Sequence, residues 1–272
     1  MPYETLLYAA DDRVATIAFN RPHRMNAFSK ALCAELIHAV RAADQDPEVR
    51  VVVITGKGGK AFSAGYDIKE SAEAPARGLA EWREKLGQDL AFTYSVWDCT
   101  KPVIAMIDGF CLAGALEFAQ MCDMRYASED SRFGVVETRF GGGIATYVMP
   151  WILGARSRRL IYTGDLIDAK EAFRLGLLDG VFPKADLERE TLKVARRMSR
   201  VALQALRWNK RAINQTFEAM GFRMALQYGL EACAILDSTE SPEGKTFDEL
   251  RRSKGLSEAL KWRDALFAPY ER

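Results

Sequence analysis

Two glutamates, Glu117 and Glu137, lie twenty positions apart where glutamate has little structural use. Glu117 interrupts the apolar run CLAGALEFAQMC (111–122), and Glu137 ends SRFGVVE just before the glycine-rich turn RFGGG. A carboxylate is rarely buried unless it is paired or used, and a single glutamate would more often point into solvent. Both together, beside Gly114 and Gly141–Gly143, indicate a general acid and a general base that face a bound substrate.

Two glycines indicate how a substrate carbonyl would be held. Gly65 lets the chain turn sharply and leaves the Tyr66 N–H free to point into a cavity. Gly114 lies at the predicted N-terminus of the helix that carries Glu117, so its N–H is an unpaired donor reinforced by the helix dipole. Two such groups form an oxyanion hole if they converge on one carbonyl oxygen. Gly114 and Glu117 share a helix face, so the carbons next to that carbonyl would lie within reach of the Glu117 carboxylate.

The elements that must position these groups alternate between strand and helix. Strands are predicted for ETLLYAA and RVATIAF near the start, and for the buried, β-branched runs VRVVVITG and KPVIAMIDG. Helices are predicted over about residues 29–43 and 75–97, and again from ALEFAQMC. GKGGKAFSAGYDI is predicted as a loop, and MRYASEDSRFGV as extended structure with a turn at SEDS. This pattern predicts an α/β fold with parallel strands.

Beyond about residue 200 the pattern changes to amphipathic helix, in the segments RVALQALRWNKRAINQTFEAM, FRMALQYGLEACAILD and KTFDELRRSKGLSEALKWRDALF. Such a tail packs either on its own core or on a neighbouring subunit. We therefore predict a core domain over residues 1–200 and a helical segment over 201–272.

The charge balance excludes several classes of partner. The 38 basic and 37 acidic side chains nearly cancel, so there is no overall field to attract nucleic acid or an anionic membrane. No run approaches the roughly 20 apolar residues of a transmembrane helix. The N-terminus lacks a basic region followed by an apolar core, so no secretory signal is predicted. We expect a cytoplasmic protein that binds neither nucleic acid nor membrane.

The sequence also gives little support for a metal site, a disulfide framework or a dinucleotide-binding site. The five cysteines are scattered and form no CxxC pair, which favours a reducing compartment. Only His23 and His38 could supply imidazole for zinc or a Ser-His-Asp triad. GKGGKA (56–61) formally fits G-x-G-x-x-A, but no helix starts there and no acidic strand end follows about twenty residues later. We expect neither a metal nor a separate cofactor.

Several blocks, in order, resemble the enoyl-CoA hydratase/isomerase, or crotonase, superfamily. They span nearly the whole chain and include NRPHRMNAF (20–28), VVVITGKGGKAFSAGYDIKE (51–70), residues 101–137, TGDLIDAKEAFRLGLLDGVF (163–182) and the helical tail. The resemblance implies a spiral of repeated ββα units with a C-terminal helical trimerisation segment. It also implies a homotrimer or a dimer of trimers.

Carried over by position, the resemblance implies a role for each site residue. The N–H groups of Tyr66 and Gly114 would bind the thioester carbonyl, and Glu117 and Glu137 match both acids of the hydratase pair. Many relatives keep only one of these acids, so the presence of both favours a hydratase. Contacts with the substrate's CoA moiety are expected from His23, Arg24, Met25, Ala64, Asp67, Ile68 and Lys69.

The sequence departs from the family pattern at three places. Ala113-Gly114-Ala115 replaces the usual three glycines before the first acid. RFGGGIATYV replaces the usual proline-glycine turn after Glu137, and Tyr66 stands where a small residue is common.

The predicted reaction is the addition of water across the 2,3-double bond of a trans-2-enoyl-CoA, which gives a 3-hydroxyacyl-CoA. Glu117 would orient and deprotonate the water, while Glu137 would deliver a proton to the α-carbon. One alternative is a relative that shifts the double bond or acts on cyclic or aryl thioesters, with Trp82, Trp97 and Tyr147 lining the pocket. Another is a non-catalytic CoA-thioester-binding or RNA-binding protein on the same fold, although the charge balance does not support RNA.

Overall fold

The computed structural model describes residues 3–73, 78–144, 147–239 and 241–271, with the backbone alone of Glu73 and Phe140. Ten strands occur in this part of the chain, in the order β1 (Leu6–Asp11), β2 (Val14–Phe19), β3 (Val51–Gly56), β4 (Ala61–Ser63), β5 (Val103–Ile107), β6 (Phe110–Leu112), β7 (Met124–Ser128), β8 (Arg132–Gly134), β9 (Ile167–Asp168) and β10 (Gly180–Phe182).

The α-helices of the same residues are α1 (Lys30–Gln45), α2 (Ile68–Glu73), α3 (Gly78–Trp97), α4 (Gly114–Met121), α5 (Met149–Leu153), α6 (Ser157–Thr163), α7 (Ala169–Leu175), α8 (Leu187–Met198), α9 (Leu203–Ala219), α10 (Phe222–Ser238), α11 (Pro242–Lys254) and α12 (Leu256–Phe267). Residues 75–77 of the helix predicted over 75–97 lie outside the described residues.

The strands form two sheets. The larger has the order β1-β2-β3-β5-β7-β10, and the smaller has the order β4-β6-β8-β9. β1 and β2 form an antiparallel hairpin, and the larger sheet continues in parallel from β2 onward. β4, β6 and β8 are parallel to one another. From β3 to β8, consecutive strands alternate between the two sheets, and helices follow the pairs β3–β4, β5–β6 and β7–β8, which confirms the predicted α/β fold of repeated ββα units.

Both faces of the larger sheet are buried, as the β-branched runs predict. Side chains of a strand alternate between faces. Val52 and Ile54 of β3 belong to the main core, together with Leu32 and Leu36 of α1. Val51 and Val53 point to the other face and pack in a second cluster with Leu187 and Ala195 of α8.

The start of α1 follows directly from the sequence. The Ser29 side chain accepts a hydrogen bond from the Leu32 N–H at 3.2 Å, so it caps the helix. Leu32, Leu36 and Val40 are buried along one face, as their spacing predicts. The helix extends to Gln45, two residues beyond the predicted end.

The prediction of an unbroken loop over GKGGKAFSAGYDI is wrong. Residues Ala61–Ser63 form β4, and α2 begins at Ile68. β4 is only three residues long and pairs with β6, with Ala61 opposite Phe110, Ser63 opposite Cys111 and a shift of register between them. Such a strand depends on a distant partner, so local sequence gives little indication of it.

The C-terminal helices pack on the chain's own core. The Trp97 ring at the end of α3 stacks on Phe222 of α10 with centroids 4.5 Å apart, and its Nε1 donates to Glu218 Oε1 at 3.2 Å. The last predicted helical run is broken at Gly255, whose φ is +89°. The division of the chain at residue 200 stays a prediction. None of the described helices is long and apolar enough to cross a membrane.

Asn26 joins two loops that lead to the candidate site. Its side chain is 1% exposed and its φ is +53°, a conformation in which asparagine is enriched. Its Nδ2 donates to the Lys57 and Ala61 carbonyls at 2.9 and 2.8 Å, and its Oδ1 accepts from the Arg21 N–H at 3.0 Å.

We expect Asn26→Ala to lower the free energy of unfolding by about 2–4 kcal/mol, because buried backbone groups would lose their partners. Urea unfolding followed by circular dichroism would measure this. Asn209→Ala, at an exposed position of α9, is the matched control and should change stability by less than about 0.5 kcal/mol. Equal, small effects from both substitutions would contradict the bridging role of Asn26.

Candidate active site

The backbone around Tyr66 presents its N–H away from the neighbouring strand. The Phe28 N–H donates to the Gly65 carbonyl at 2.8 Å, and the Asp67 N–H donates to the Phe28 carbonyl at 3.0 Å. In this parallel bridge the N–H of the intervening Tyr66 faces the opposite direction. It donates to no group in the part of the chain that the structure describes. The Tyr66 amide is thus available as a donor, as the sequence predicts.

The turn at Gly65 touches the turn that begins α4. Gly65 has a φ of +90°, and a Cβ at this position would lie 2.8 Å from Ala113 Cβ and 3.2 Å from Gly114 N. Only glycine allows so close an approach with this backbone conformation. The contact brings the amides of Tyr66 and Gly114 into one small region.

The entry to α4 is a strained turn. Ala113 has φ +56° and ψ −137°, a combination that costs of the order of 1–3 kcal/mol outside glycine. Its N–H is tied to the Gly134 carbonyl of β8 at 2.8 Å, and its carbonyl accepts from the Leu116 N–H at 2.8 Å. The Gly114 N–H is left as a donor at the helix N-terminus, with no hydrogen bond to the described residues.

Gly114 is needed for a second reason. A Cβ there would lie 2.5 Å from Cε2 of the Tyr66 ring. The ring therefore packs directly on the Gly114 backbone, and its hydroxyl donates to the Asp89 carbonyl of α3 at 3.2 Å. This contact explains why the middle residue of Ala113-Gly114-Ala115 is glycine, whereas the residue on either side of it carries a methyl group.

Glu117 is 4% exposed and lies in the first turn of α4, one turn after Gly114. Glu137 lies in a 3₁₀ helix, Val136–Phe140, that follows β8. The Glu137 Oε2 atom is buried and accepts no hydrogen bond from the described residues. The structure thus places the two carboxyls on elements that meet where β6 and β8 pair.

The two carboxyls interact electrostatically. Burial raises the pKa of Glu137 well above its usual range, and the negative charges of Glu117 and then Asp237 raise it further. Glu137 is therefore held in its protonated form, which is the form that donates a proton. Two neighbouring carboxyls that disfavour each other's ionisation are an arrangement in which one can act as a base and the other as an acid.

Three residues near this pair were not assigned to the site from the sequence. Asp89 on α3 and Tyr147 both interact with Glu117, and Asp237 on α10 interacts with Glu137. Tyr147 was considered only as a member of an aromatic pocket. The two aspartates lie on helices far from the acids in sequence, with no motif to mark them.

Asp89 carries a carboxyl whose ionisation is disfavoured. Burial raises the pKa of Asp89 to about 7, Lys85 opposes the rise, and Glu117 adds to it. Asp89 lines a cavity of about 600 Å³ beside Tyr66, between α1, α2 and α3. This places a second titratable carboxyl within the electrostatic range of Glu117.

The residues predicted to contact CoA lie in two adjoining segments: the 3₁₀ turn that ends at Met25, and the stretch from the end of β4 into the start of α2. His23 and Arg24 belong to a 3₁₀ turn that ends at Met25, and the Met25 carbonyl accepts from the Ala64 N–H at 3.0 Å. His23, Ile68 and Lys69 are exposed. These residues lie next to the turn at Tyr66. Their contacts with CoA stay a prediction.

Asp67 is already engaged within the protein. Its Oδ2 pairs with Arg21 Nη2 at 3.0 Å, and its Oδ1 accepts from the Lys69 N–H at 3.1 Å. Burial alone would raise the Asp67 pKa, but the Arg21 hydrogen bond and the backbone N–H groups bring it below its usual value. The Asp67 side chain therefore fixes the conformation of the backbone between Tyr66 and α2. Among the described residues, no group of three or more His, Cys, Asp or Glu side chains could hold a metal ion.

Comparison with known proteins assigns the family. The model of the enoyl-CoA hydratase/isomerase family matches residues 9–241. The chain is 34% identical over 263 residues to a crotonyl-CoA hydratase of Syntrophomonas wolfei, a match that covers 94% of this chain and 100% of that protein. It is 31% identical to an (E)-benzylidenesuccinyl-CoA hydratase of Thauera aromatica, over 88% of this chain and 94% of that protein.

A solved structure shows the same fold. An enoyl-CoA hydratase/isomerase from Xanthobacter autotrophicus Py2 superimposes with a TM-score of 0.94 at 36% identity, over 98% of this chain and 99% of that one. This chain belongs to the enoyl-CoA hydratase/isomerase family. The predicted family and its fold are confirmed.

The raised Asp89 pKa makes stability depend on pH. The folded state holds the Asp89 proton up to about pH 7, whereas an unfolded chain releases it near pH 4. The folded state thus loses stability as pH rises through this window. We expect Asp89→Asn to raise the free energy of unfolding by about 1–2 kcal/mol at pH 8, and by less at pH 5.

Denaturant unfolding at both pH values would measure the difference. Asp130→Asn is the matched control, because Asp130 is exposed in the turn between β7 and β8. Its effect should be small and the same at both pH values. An Asp89→Asn effect that does not change with pH would show that this carboxyl ionises normally.

Proposed function

We propose that this protein is an enoyl-CoA hydratase, which adds water across the 2,3-double bond of a trans-2-enoyl-CoA to give a 3-hydroxyacyl-CoA. One observation carries the proposal: the adjoining Tyr66 and Gly114 amides lie beside Glu117 and Glu137, two carboxyls that interact electrostatically. A carbonyl-binding pair of donors with one base and one acid is what hydration of a conjugated thioester requires. Relatives named as hydratases, including one for crotonyl-CoA, support it.

The amide pair would bind the thioester oxygen. Hydrogen bonds from the Tyr66 and Gly114 N–H groups draw electron density toward that oxygen, which makes C3 electrophilic and stabilises the enolate-like transition state. The dipole of α4 adds to the Gly114 donor. Loss of one such donor costs about 2.7–4 kcal/mol in the protease where it has been measured.

The two glutamates would divide the proton transfers. Glu117 accepts a proton from water as the water oxygen bonds to C3, and the double-bond electrons move toward the thioester. Glu137 gives its proton to C2, which completes the addition. Exchange with solvent then restores the ionised Glu117 and the protonated Glu137. Because burial and neighbouring charge keep the Glu137 proton in place, the acid is ready near neutral pH.

The CoA moiety would bind along these two segments beside Tyr66. His23, Arg24 and Lys69 offer positive or hydrogen-bonding groups for phosphate, while Met25, Ala64 and Ile68 offer backbone and apolar contacts. Asp67 would contribute its backbone, since both of its carboxylate oxygens are engaged. CoA belongs to the substrate in this proposal, so no separate cofactor or metal is needed.

Aryl or cyclic acyl-CoA thioesters are a second substrate class. Tyr147 interacts electrostatically with Glu117, so an aromatic ring would lie near the reacting carbons in this proposal. A relative named for (E)-benzylidenesuccinyl-CoA also favours this class. Trp97 does not contribute, because its ring packs between the C-terminal helices on Phe217 and Phe222.

We also propose that the chain forms a homotrimer or a dimer of trimers. Helices α9 and α10 expose large apolar side chains, including Trp208 at 61%, Met224 at 76% and Tyr228 at 78%. Contiguous apolar surface on a soluble protein marks an interaction site. The unpaired thiols of all five cysteines fit a reducing compartment, and we propose a cytoplasmic location.

Glu117→Gln and Glu137→Gln should each lower kcat for crotonyl-CoA by about 10²–10⁴-fold, because each removes one proton transfer. Binding of the thioester should be largely retained, because the amide donors are unchanged. Loss of the conjugated enoyl-thioester absorbance, with chromatographic identification of the product, measures the reaction. Glu129→Gln, at an exposed turn, is the matched control and should keep full activity.

Near-normal rates in both variants would overturn the assignment of the two acids. A shifted double bond in the product, with no 3-hydroxyacyl-CoA, would favour an isomerase. Thioester binding without any turnover by the wild-type protein, on linear and aryl substrates alike, would favour a non-catalytic scaffold.

For the assembly, light scattering should give a mass of three or six chains of 30.4 kDa. The double substitution Met224→Glu with Tyr228→Glu should shift the mass toward the monomer, because buried carboxylates are costly at an interface. A monomeric wild-type protein at micromolar concentration would contradict the proposal.

A further inference from the structure

The glycine-rich turn that follows Glu137 is held from outside by α10. The Gly143 N–H donates to Asp237 Oδ1 at 3.0 Å. The other carboxylate oxygen, Oδ2, accepts from the Cys233 thiol at 3.4 Å. Asp237 therefore joins the turn to its own helix, with each of its oxygens engaged.

Close packing leaves no room for side chains in the turn. A Cβ on Gly143 would lie 2.6 Å from Cys233 Sγ and 3.0 Å from Cys233 Cα. A Cβ on Gly141, where φ is +78°, would lie 2.5 Å from Ser241 Oγ at the start of α11. These contacts give a physical reason for RFGGG at this point in the chain, because the backbone must lie directly on the C-terminal helices.

The same turn is bonded back to Glu137. The Gly142 N–H donates to the Glu137 carbonyl at 2.9 Å. A short path of backbone and side-chain contacts thus runs from Asp237 through Gly143 and Gly142 to the residue that carries the acid. Displacement at its α10 end would be transmitted to the Glu137 carboxyl.

We propose that Asp237 is a positioning residue for Glu137: its carboxylate anchors the glycine-rich turn to α10, and its charge acts on the acid. This inference rests on the proposed function, in which Glu137 is the proton donor. Asp237 acts through the turn and through its charge.

The charged groups around Glu137 come from several elements. Glu117 of α4 exerts the larger effect on its pKa, and Asp237 of α10 adds to it. Burial raises the pKa of the neighbouring Cys233 well above its usual range, so this thiol stays neutral near pH 7. Burial raises the pKa of Asp237 itself, whereas the Gly143 N–H, the Cys233 thiol and Lys85 of α3 oppose that rise and favour its charged form. Tyr147 also lies near Glu117 and Asp237, and its raised pKa keeps it neutral.

The Asp237 charge acts on the pH dependence of the reaction through the Glu137 acid. A negative neighbour disfavours ionisation, so removal of the Asp237 charge lowers the pKa of Glu137. The protonated acid is then lost at a lower pH. The alkaline limb of the kcat profile should therefore move toward lower pH.

Two substitutions separate anchoring from charge. Asp237→Asn retains an oxygen that accepts from Gly143 and removes the charge. We expect its alkaline limb to shift down by about 0.5–1 pH unit, with KM for crotonyl-CoA within about twofold of wild type. Asp237→Ala also removes the anchor, and we expect kcat to fall by about tenfold or more at every pH.

Glu231→Gln is the matched control. Glu231 lies on the same helix and pairs with Arg83 at 2.7 Å. Glu231→Gln therefore removes one negative charge from α10, as Asp237→Asn does, but not from the carboxylate that holds the glycine-rich turn. Its pH profile should overlay that of the wild type. Profiles of Asp237→Asn and Asp237→Ala that both overlay the wild type would overturn the proposal.

A readout independent of turnover separates this inference from the proposed function. Carbon-13 NMR of labelled glutamate carboxyls, with the Glu137 resonance identified by its absence in Glu137→Gln, gives the Glu137 pKa directly. A lower pKa in Asp237→Asn than in the wild type supports the positioning role even if crotonyl-CoA is not hydrated. An unchanged pKa in a folded Asp237→Asn protein overturns the charge effect.

Discussion

At the contact between Gly65 and Ala113, two backbone turns approach so closely that neither can carry a larger group. The first turn follows β4 and the second follows β6, and these two strands pair in the smaller sheet. Sheet pairing therefore sets the distance between the Tyr66 and Gly114 amides, and glycine makes the final approach feasible. The rest of the candidate site is arranged around this pair of donors. Glu117 follows on the helix that Gly114 begins, and Glu137 lies in the 3₁₀ helix that follows β8, the strand next to β6 in the same sheet.

A second constraint is the concentration of acidic groups in a buried space. Glu117, Glu137, Asp89 and Asp237 all interact with at least one of the others, and Lys85 offsets part of their charge. Like charges in a buried site raise pKa values at the expense of stability. A soluble protein that needed only to fold could replace them with apolar residues. Their presence is better explained by proton transfer, for which a base and a retained proton must lie side by side.

Much of the positioning framework could be predicted from local sequence. The β-branched runs gave β3 and β5, the apolar spacing gave α1, and Gly114 marked the start of α4. Both acids were identified because carboxylates in glycine-rich, apolar surroundings are unusual. The order of the motif blocks then gave the family and its ββα repeat. These features depend on short stretches of chain, where composition and period carry the information.

Other parts could not be predicted because they depend on contacts between distant residues. β4 is a strand only because β6 lies beside it. Asp237 reaches Gly143 of the glycine-rich turn only after α10 has packed against α3 and that turn, and nothing around it in the sequence marks its role. The unusual ionisation of Asp89 could not be predicted either, because it depends on burial between helices. The glycines at 141–143 were noted from the sequence, but the reason for them is visible only in the packing.

The central claim, that the Tyr66 and Gly114 amides hold a thioester carbonyl beside the two acids, can be tested by a crystal structure of Glu137→Gln with crotonyl-CoA. The predicted result is a thioester oxygen within about 3 Å of both amide nitrogens, with the C2–C3 bond between the side chains of Glu117 and residue 137. A bound thioester whose oxygen contacts neither amide would contradict the claim.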